Sequence, residues 1–295
     1  MKTLQRNPLR RPLALTAVTA LALLPAARWS APASAQAGEE AARILVTNDD
    51  GWDSDGLAAL VTSLMKLGEV VVCAPLQNRS GASHSAEIFR GEHALREVTV
   101  EGASEAWAVD GTPSDAVTFA LTSLGGERGF DLVVSGINAG ANVGEVAHYS
   151  GTVGAALEAV GLGVAAIAVS QEAPRGFADT ARFTADLARR LLTEGADAGV
   201  VYSVNVPRHR AEGPQPVAVA PMGGRFLRVA GVRISDPVDG QSSFRAELEF
   251  GREAPEGSDT RAFFAGAITI TPLRFDWTDT ASLERLRKWE LTSRE

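Results

Sequence analysis

Runs of consecutive apolar residues alternate along the chain with stretches in which apolar positions return every third or fourth residue. The first run, at residues 43–47, reads as a short buried strand. Leu57, Leu60, Val61, Leu64 and Leu67 then lie on one face of a helix, with Gly68 as its expected stop. Residues 70–74 give a second apolar strand ended by Pro75, and the segments at 98–100 and 107–109 read as hairpin-like. Thr112 before Pro113 opens the next helix. The threonine hydroxyl caps free N–H groups there, and proline has no N–H to leave unpaired at the first helical position. Residues 132–134, 164–169 and 200–206 are expected as further core strands, with helices at 151–160 and 183–192.

Strands apolar on both faces, alternating with helices, indicate an α/β fold built on a mostly parallel sheet with helices on both faces. From about Gly213 the texture changes. Residues 229–234, 244–250 and 267–271 read as strands separated by Gly, Pro and Asp turns, followed by a closing helix at 282–289. The expected organisation is an α/β core over residues 36–212 and a β-rich C-terminal extension over 213–295.

Residues 1–35 stand apart. Lys2, Arg6, Arg10, Arg11 and Arg28 are unaccompanied by any acidic residue, and an apolar run at 13–24 precedes Ala33-Ser34-Ala35. That is the order of a secretory signal, expected to be cleaved near Ala35 and to export the protein to the periplasm or beyond. The apolar run is too short to span a bilayer, so no membrane partner is expected for the mature form. Removing the leader changes the charge. The full 295 residues carry a net charge of -8, whereas residues 36–295 carry 23 basic against 36 acidic side chains, a net charge of -13. Such a surface excludes a duplex nucleic-acid partner, because neutralising phosphates needs surplus Lys and Arg. A single cysteine, Cys73, excludes an internal disulfide or a thiolate-held metal cluster, and His84, His93, His148 and His209 are scattered. Any metal must be held by oxygen.

Four polar clusters offer that oxygen. Thr47-Asn48-Asp49-Asp50-Gly51 follows the first strand, at the sheet edge where ligands of open parallel sheets sit. Adjacent carboxylates repel each other unless a cation joins them, although a solvated Asx turn has the same composition. Gln77 to Ser85, after the second strand, holds hydroxyls and one cation, Arg79, and reads equally as a surface loop. Ser135 to Gly144, after the third strand, spaces glycines around Asn138 and Asn142; it is neither a dinucleotide fingerprint nor a Walker A loop. Ser150-Gly151-Thr152 opens a helix whose free N–H groups suit an anion, with plain N-capping by Ser150 compatible with the same geometry. Converging on one crevice, these groups would hold Mg²⁺ or Mn²⁺ and cradle a phosphate, which points to phosphomonoester hydrolysis.

Five motifs then occur in order: Ile44-Leu45-Val46-Thr47-Asn48-Asp49-Asp50-Gly51, Arg79-Ser80-Gly81 with His84-Ser85, Gly111-Thr112-Pro113-Ser114-Asp115, Ser135-Gly136-Ile137-Asn138 with its following glycines, and Tyr149-Ser150-Gly151-Thr152-Val153. Together, over residues 43–207, they closely resemble the SurE family of 5'-nucleotidases. The resemblance implies a Rossmann-like core, an extension used in oligomerisation to a homodimer or homotetramer, and hydrolysis of nucleoside 5'-monophosphates, with 3'-monophosphates and short polyphosphates as further substrates. It places one divalent metal ion on Asp49, Asp50, Ser80 and Asn138, with Asp49 and Asp50 catalytic. Metal-bound water is the implied nucleophile, and a ligating Asp takes its proton. Asn142, Ser150, Gly151 and Thr152 fall where the family holds phosphate, with Arg79 a further contact. One departure is Val146, where such loops commonly carry an acid; Glu145 lies beside it.

Three other readings compete. A dehalogenase-type phosphatase would use Asp53-Ser54-Asp55, but its motif should begin at the strand's end. A serine hydrolase lacks its Gly-x-Ser-x-Gly turn. An exported protein that binds nucleotide or phosphate without turnover is the non-enzymatic alternative.

Overall fold

The fold is built around a central strand, β1 (Ala42–Thr47), whose Ile44, Leu45 and Val46 are fully enclosed because helices cover both sides of the sheet. A computed structural model describes residues 41–172, 176–208, 213–251, 253–289 and 291. The leader expected at residues 1–35 and its cleavage point lie outside the described residues. After β1 come α1 (Asp55–Leu64), β2 (Gly68–Pro75), β3 (Leu95–Glu97), β4 (Glu105–Val109) and α2 (Pro113–Phe119). The second half of the core is β5 (Leu132–Ala139), α3 (Gly151–Gly161), β6 (Ala166–Gln171), α4 (Ala178–Glu194) and β7 (Val200–Val206). The extension adds β8 (Val217–Val219), β9 (Leu227–Ile234), β10 (Phe244–Phe250), α5 (Asp259–Phe264), β11 (Ile268–Arg274) and α6 (Thr280–Arg287).

The main sheet has the order β3-β4-β2-β1-β5-β6-β7-β11-β8. Pairings from β4 across to β7 are all parallel; β3 runs antiparallel at one edge, and β11 pairs antiparallel with β7. Leu57, Leu60, Val61 and Leu64 of α1 and Ala181, Ala185 and Ala188 of α4 pack on one face. Ala116 and Val117 of α2 and Val153, Ala156 and Val160 of α3 pack on the other. Helices on both faces of a parallel sheet are the Rossmann-like arrangement expected. Strand order reverses between β1 and β5, so the crevice of a doubly wound sheet opens beyond the carboxyl ends of these two strands.

Several local expectations shift. Gly68 does not stop α1, which ends at Met65 through a bond to the Val61 carbonyl. Gly68 instead starts β2, where a Cβ would lie 1.9 Å from the Ala42 carbonyl oxygen. The hairpin's first strand is the exposed Leu95–Glu97 rather than 98–100. β5 continues to Ala139, so Ser135 to Asn138 lie within a strand whose register on β6 shifts there. The extension divides: β9 and β10 form a separate antiparallel hairpin, while β11 and β8 complete the main sheet. Thr112 caps α2 as anticipated, and Asp115 returns the bond in a full capping box.

Candidate active site

The end of β1 turns sharply before α1. The Asn48 side-chain oxygen accepts the Gly51 N–H at 3.1 Å, and its amide nitrogen donates to the Gly51 carbonyl and to Ser54 Oγ at 2.9 and 2.7 Å. Ser54 also caps α1 by accepting the Leu57 N–H. With Asn48 spent on the turn, Asp49 and Asp50 are the side chains left to face the crevice.

Asp49 is almost fully buried against the first turn of α3. Thr152 Oγ1 donates to Asp49 Oδ1 at 2.7 Å, and the Thr152 N–H supports the same carboxylate. A Cβ on Gly151 would lie 2.8 Å from the Asp49 Cβ, so only glycine lets α3 begin this close to β1. Ser150 caps α3 by accepting the Val153 N–H at 3.2 Å. Asp50 is half-buried; Asn78 Nδ2 donates to its Oδ1 at 3.1 Å, and the Ala139 N–H approaches its Oδ2 at 3.5 Å. Burial is the main force pushing both carboxyls above their ordinary range; the Asp50 charge adds to the rise at Asp49, and the Thr152 hydroxyl opposes it.

The other candidates gather around this pair in different ways. The Arg79 N–H donates to the Asp49 carbonyl at 2.7 Å, which anchors the loop after β2 to the end of β1. The Arg79 guanidinium reaches Asp110 at 3.1 Å, while its buried Nε has no partner. Ser80 joins through Asn78: its N–H donates to Asn78 Oδ1 at 2.9 Å, and the same side chain holds Asp50. Asn138 donates from Nδ2 to the Gly140 carbonyl at 2.8 Å, a bond that uses its nitrogen and not its oxygen. Asn142 lies deeper. Its N–H donates to Asn205 Oδ1 at 2.7 Å and its amide to Ser170 Oγ at 2.8 Å, so β6 and β7 hold it in place.

Three residues outside the predicted set support the site. Asp115 accepts the N–H groups of Glu87 and Ile88 as well as that of Thr112, fastening the end of the loop that carries Arg79 and Ser80. Asp259, buried at the start of α5, accepts the Gly144 N–H and the Gly223 N–H, each at 2.9 Å. It thereby fixes the far end of the Asn/Gly loop. Ser258-Asp259 reads in sequence only as an ordinary helix start, and no local signal links it to a glycine 115 residues earlier. Asn205 was likewise hidden inside an apolar strand. Glu145, beside Val146, pairs with Arg225 at 3.1 Å and so faces the extension.

Two adjacent carboxylates, one buried and one half-buried, with raised proton affinity are costly unless a cation offsets them. Among the described residues no cluster of three or more His, Cys, Asp or Glu side chains exists. The two carboxylates, with the neutral side-chain oxygens of Ser80 and Asn138 that the motifs suggest, form a hard donor set of the kind that fits an oxygen-bound divalent ion.

The sequence model for survival protein SurE matches residues 44–228. The 5'-nucleotidase SurE of Geobacter sp. (strain M21) is 38% identical over 252 residues, covering 84% of this chain and 99% of the relative. That of Geotalea uraniireducens is 38% identical over 253 residues, covering 85% and 100%. The crystal structure of the SurE protein from Aquifex aeolicus superposes with a TM-score of 0.73 at 34% identity, covering 84% of this chain and 99% of that one. With the motifs, the fold and the relatives in agreement, the chain belongs to the SurE family.

Proposed function

We propose that the chain is a 5'-nucleotidase, hydrolysing nucleoside 5'-monophosphates at the crevice between β1 and β5 with the help of a divalent cation. The observation that carries this reading is the Thr152–Asp49 hydrogen bond. It places a helix N-terminus, suited to phosphate, directly against a carboxylate suited to a metal. The curated relatives named 5'-nucleotidase support the same activity.

Asp49 and Asp50, with Ser80 and Asn138, would hold the cation. When bound, such an ion, Mg²⁺ or Mn²⁺, polarises a phosphoryl oxygen and brings the pKa of water towards neutrality. The chain's own groups do the rest. Thr152 fixes the rotamer of Asp49, Asn78 fixes Asp50, and Ser150 completes the first turn of α3 so that its N-terminus receives the phosphate. Asn142 is braced by β6 and β7 at the opposite lip. Arg79 lends positive charge to a protein whose net charge of -8 repels nucleotides at long range. The order of residues 1–35 supports export, and N-terminal sequencing of secreted protein should begin after Ala35; a start at Met1 defeats that reading.

The decisive experiment measures phosphate released from nucleoside monophosphates by purified protein with Mg²⁺ or Mn²⁺, then with EDTA. Release that stops on chelation is expected. Asp49→Asn and Asp50→Asn should each lower kcat by about 10³-fold or more with the circular dichroism spectrum unchanged. Full activity in either variant sinks the metal assignment, and tight binding without release sinks the hydrolase reading.

A further inference from the structure

A cavity of about 180 Å³ opens beside the first turn of α3. One wall is Ser150, Val153 and Leu157 of that helix, and Met222 and Leu273 of the extension form another. His84, His148, Arg274 and Trp277 also line it. Ser150 belongs to both places: it caps α3 and lines the cavity, one residue from the Gly151 that packs on Asp49. A phosphate at the α3 N-terminus therefore has a recess within reach whose lining includes Ser150 but neither aspartate.

Two aromatic rings among these lining residues meet each other. Trp277 is 73% exposed, an unusual position for the largest apolar side chain, and its ring and that of His148 meet in a T-shaped arrangement with centroids 6.1 Å apart. His84 is fixed in orientation by Glu158 at 2.7 Å, and Thr118 holds the other oxygen of that carboxylate. The loop that carries Ser83 and His84 is tied to the same corner, since Ser83 Oγ donates to the His148 carbonyl at 2.6 Å. Arg274 adds a cation to a mouth through which an anionic ester must pass.

We infer that this cavity is the nucleoside subsite, with the base of the substrate lying against Trp277 and His148 and its sugar leading to phosphate at Ser150 and Gly151. The inference rests on the nucleotidase reading for the position of the phosphate, but base binding is measurable without turnover.

The test compares AMP with ribose 5-phosphate, which lacks a base, in the full chain and in Trp277→Ala. Loss of one base–aromatic stack is worth about a tenfold change. The variant should lower kcat/KM for AMP about tenfold, leave ribose 5-phosphate unchanged, and be largely rescued by Trp277→Phe. Met222→Trp, which fills the cavity, should likewise weaken AMP and spare ribose 5-phosphate. An equal loss on both substrates, or no loss on AMP, overturns the assignment. Equilibrium dialysis of adenosine provides the reading that does not depend on catalysis: adenosine should bind the full chain and bind Trp277→Ala about tenfold less tightly. Failure of the full chain to bind adenosine, or equal binding by the variant, overturns the subsite. Trp277-dependent adenosine binding without hydrolysis of any monoester would instead overturn the nucleotidase reading and leave the subsite standing.

Discussion

At Asp49, burial and hydrogen bonding pull against each other. Burial raises its proton affinity, the neighbouring Asp50 charge adds to the rise, and the Thr152 hydroxyl acts in the opposite sense. Thr152→Val keeps the side-chain shape and removes that donor. A hydrogen bond to a charged group contributes about 1.5–3 kcal/mol, so kcat/KM should fall about ten- to hundredfold, with a higher Mn²⁺ concentration needed for half-maximal activity. Unchanged kinetics would show that the hydroxyl does not set the carboxylate. The raised affinity also has a sign in stability. Between the ordinary value of 3.8 and its own higher value, native Asp49 keeps a proton that the unfolded chain has lost, so stability declines as pH rises through that window. In EDTA, Asp49→Asn should therefore raise Tm at pH 7 and lose that advantage below about pH 3.8, as scanning calorimetry would report. The Asn48-Asp49-Asp50-Gly51 turn was legible in the sequence because its bonds are local. The Thr152 contact was not, since 103 residues separate the partners.

Among the elements, α3 is the meeting point. Its Glu158 accepts from Thr118 on α2 and pairs with His84 in the loop after β2, so one carboxylate joins two helices and the functional loop. The His84 contact is the chief cause holding Glu158 below its usual range. A depressed acid of this kind contributes stability above its ordinary value of 4.5, and that contribution disappears as pH falls through the folded value. Glu158→Gln should cost about 1 kcal/mol at pH 7, seen as a Tm lower by about 2–4 °C. The gap to the unaltered protein should close below about pH 4.5; a gap that persists there would assign the effect to packing. Helix starts and buried strands were predictable because capping and enclosure are written locally. Gly68 misled because its role is a close approach to the Ala42 backbone, which periodicity along one segment cannot reveal.

On the scale of the whole molecule, the β9–β10 hairpin stands outside the main sheet. Its register puts Leu227, Val229, Val232 and Ile234 opposite Phe250, Leu248, Ala246 and Phe244, all on one face. The other face carries the Arg233–Glu247 and Arg228–Glu249 pairs. Phe244 and Ile234 are 76% and 70% exposed, and a lone two-stranded ribbon is marginal in water. Association of copies through the apolar face is therefore expected, giving a dimer or tetramer by light scattering after size exclusion. Ile234→Glu with Phe244→Glu should reduce the mass; an unchanged mass would place the contact elsewhere.

The sequence by itself determined the α/β class, the succession of buried strands, the N-caps of α2 and α3, and the oxygen-rich composition around Asp49, Asp50, Ser80 and Asn138. Those properties follow from periodicity, composition and bonds between near neighbours. Tertiary structure alone decided that Thr152 serves Asp49, that Asp259 clamps Gly144, that β11 and β8 complete the main sheet, and that Trp277 and Ser150 line one cavity. Each joins residues far apart in the chain. Such partners are chosen by the topology of the sheet and the packing of its helices, and no stretch of sequence read alone contains both halves of the contact.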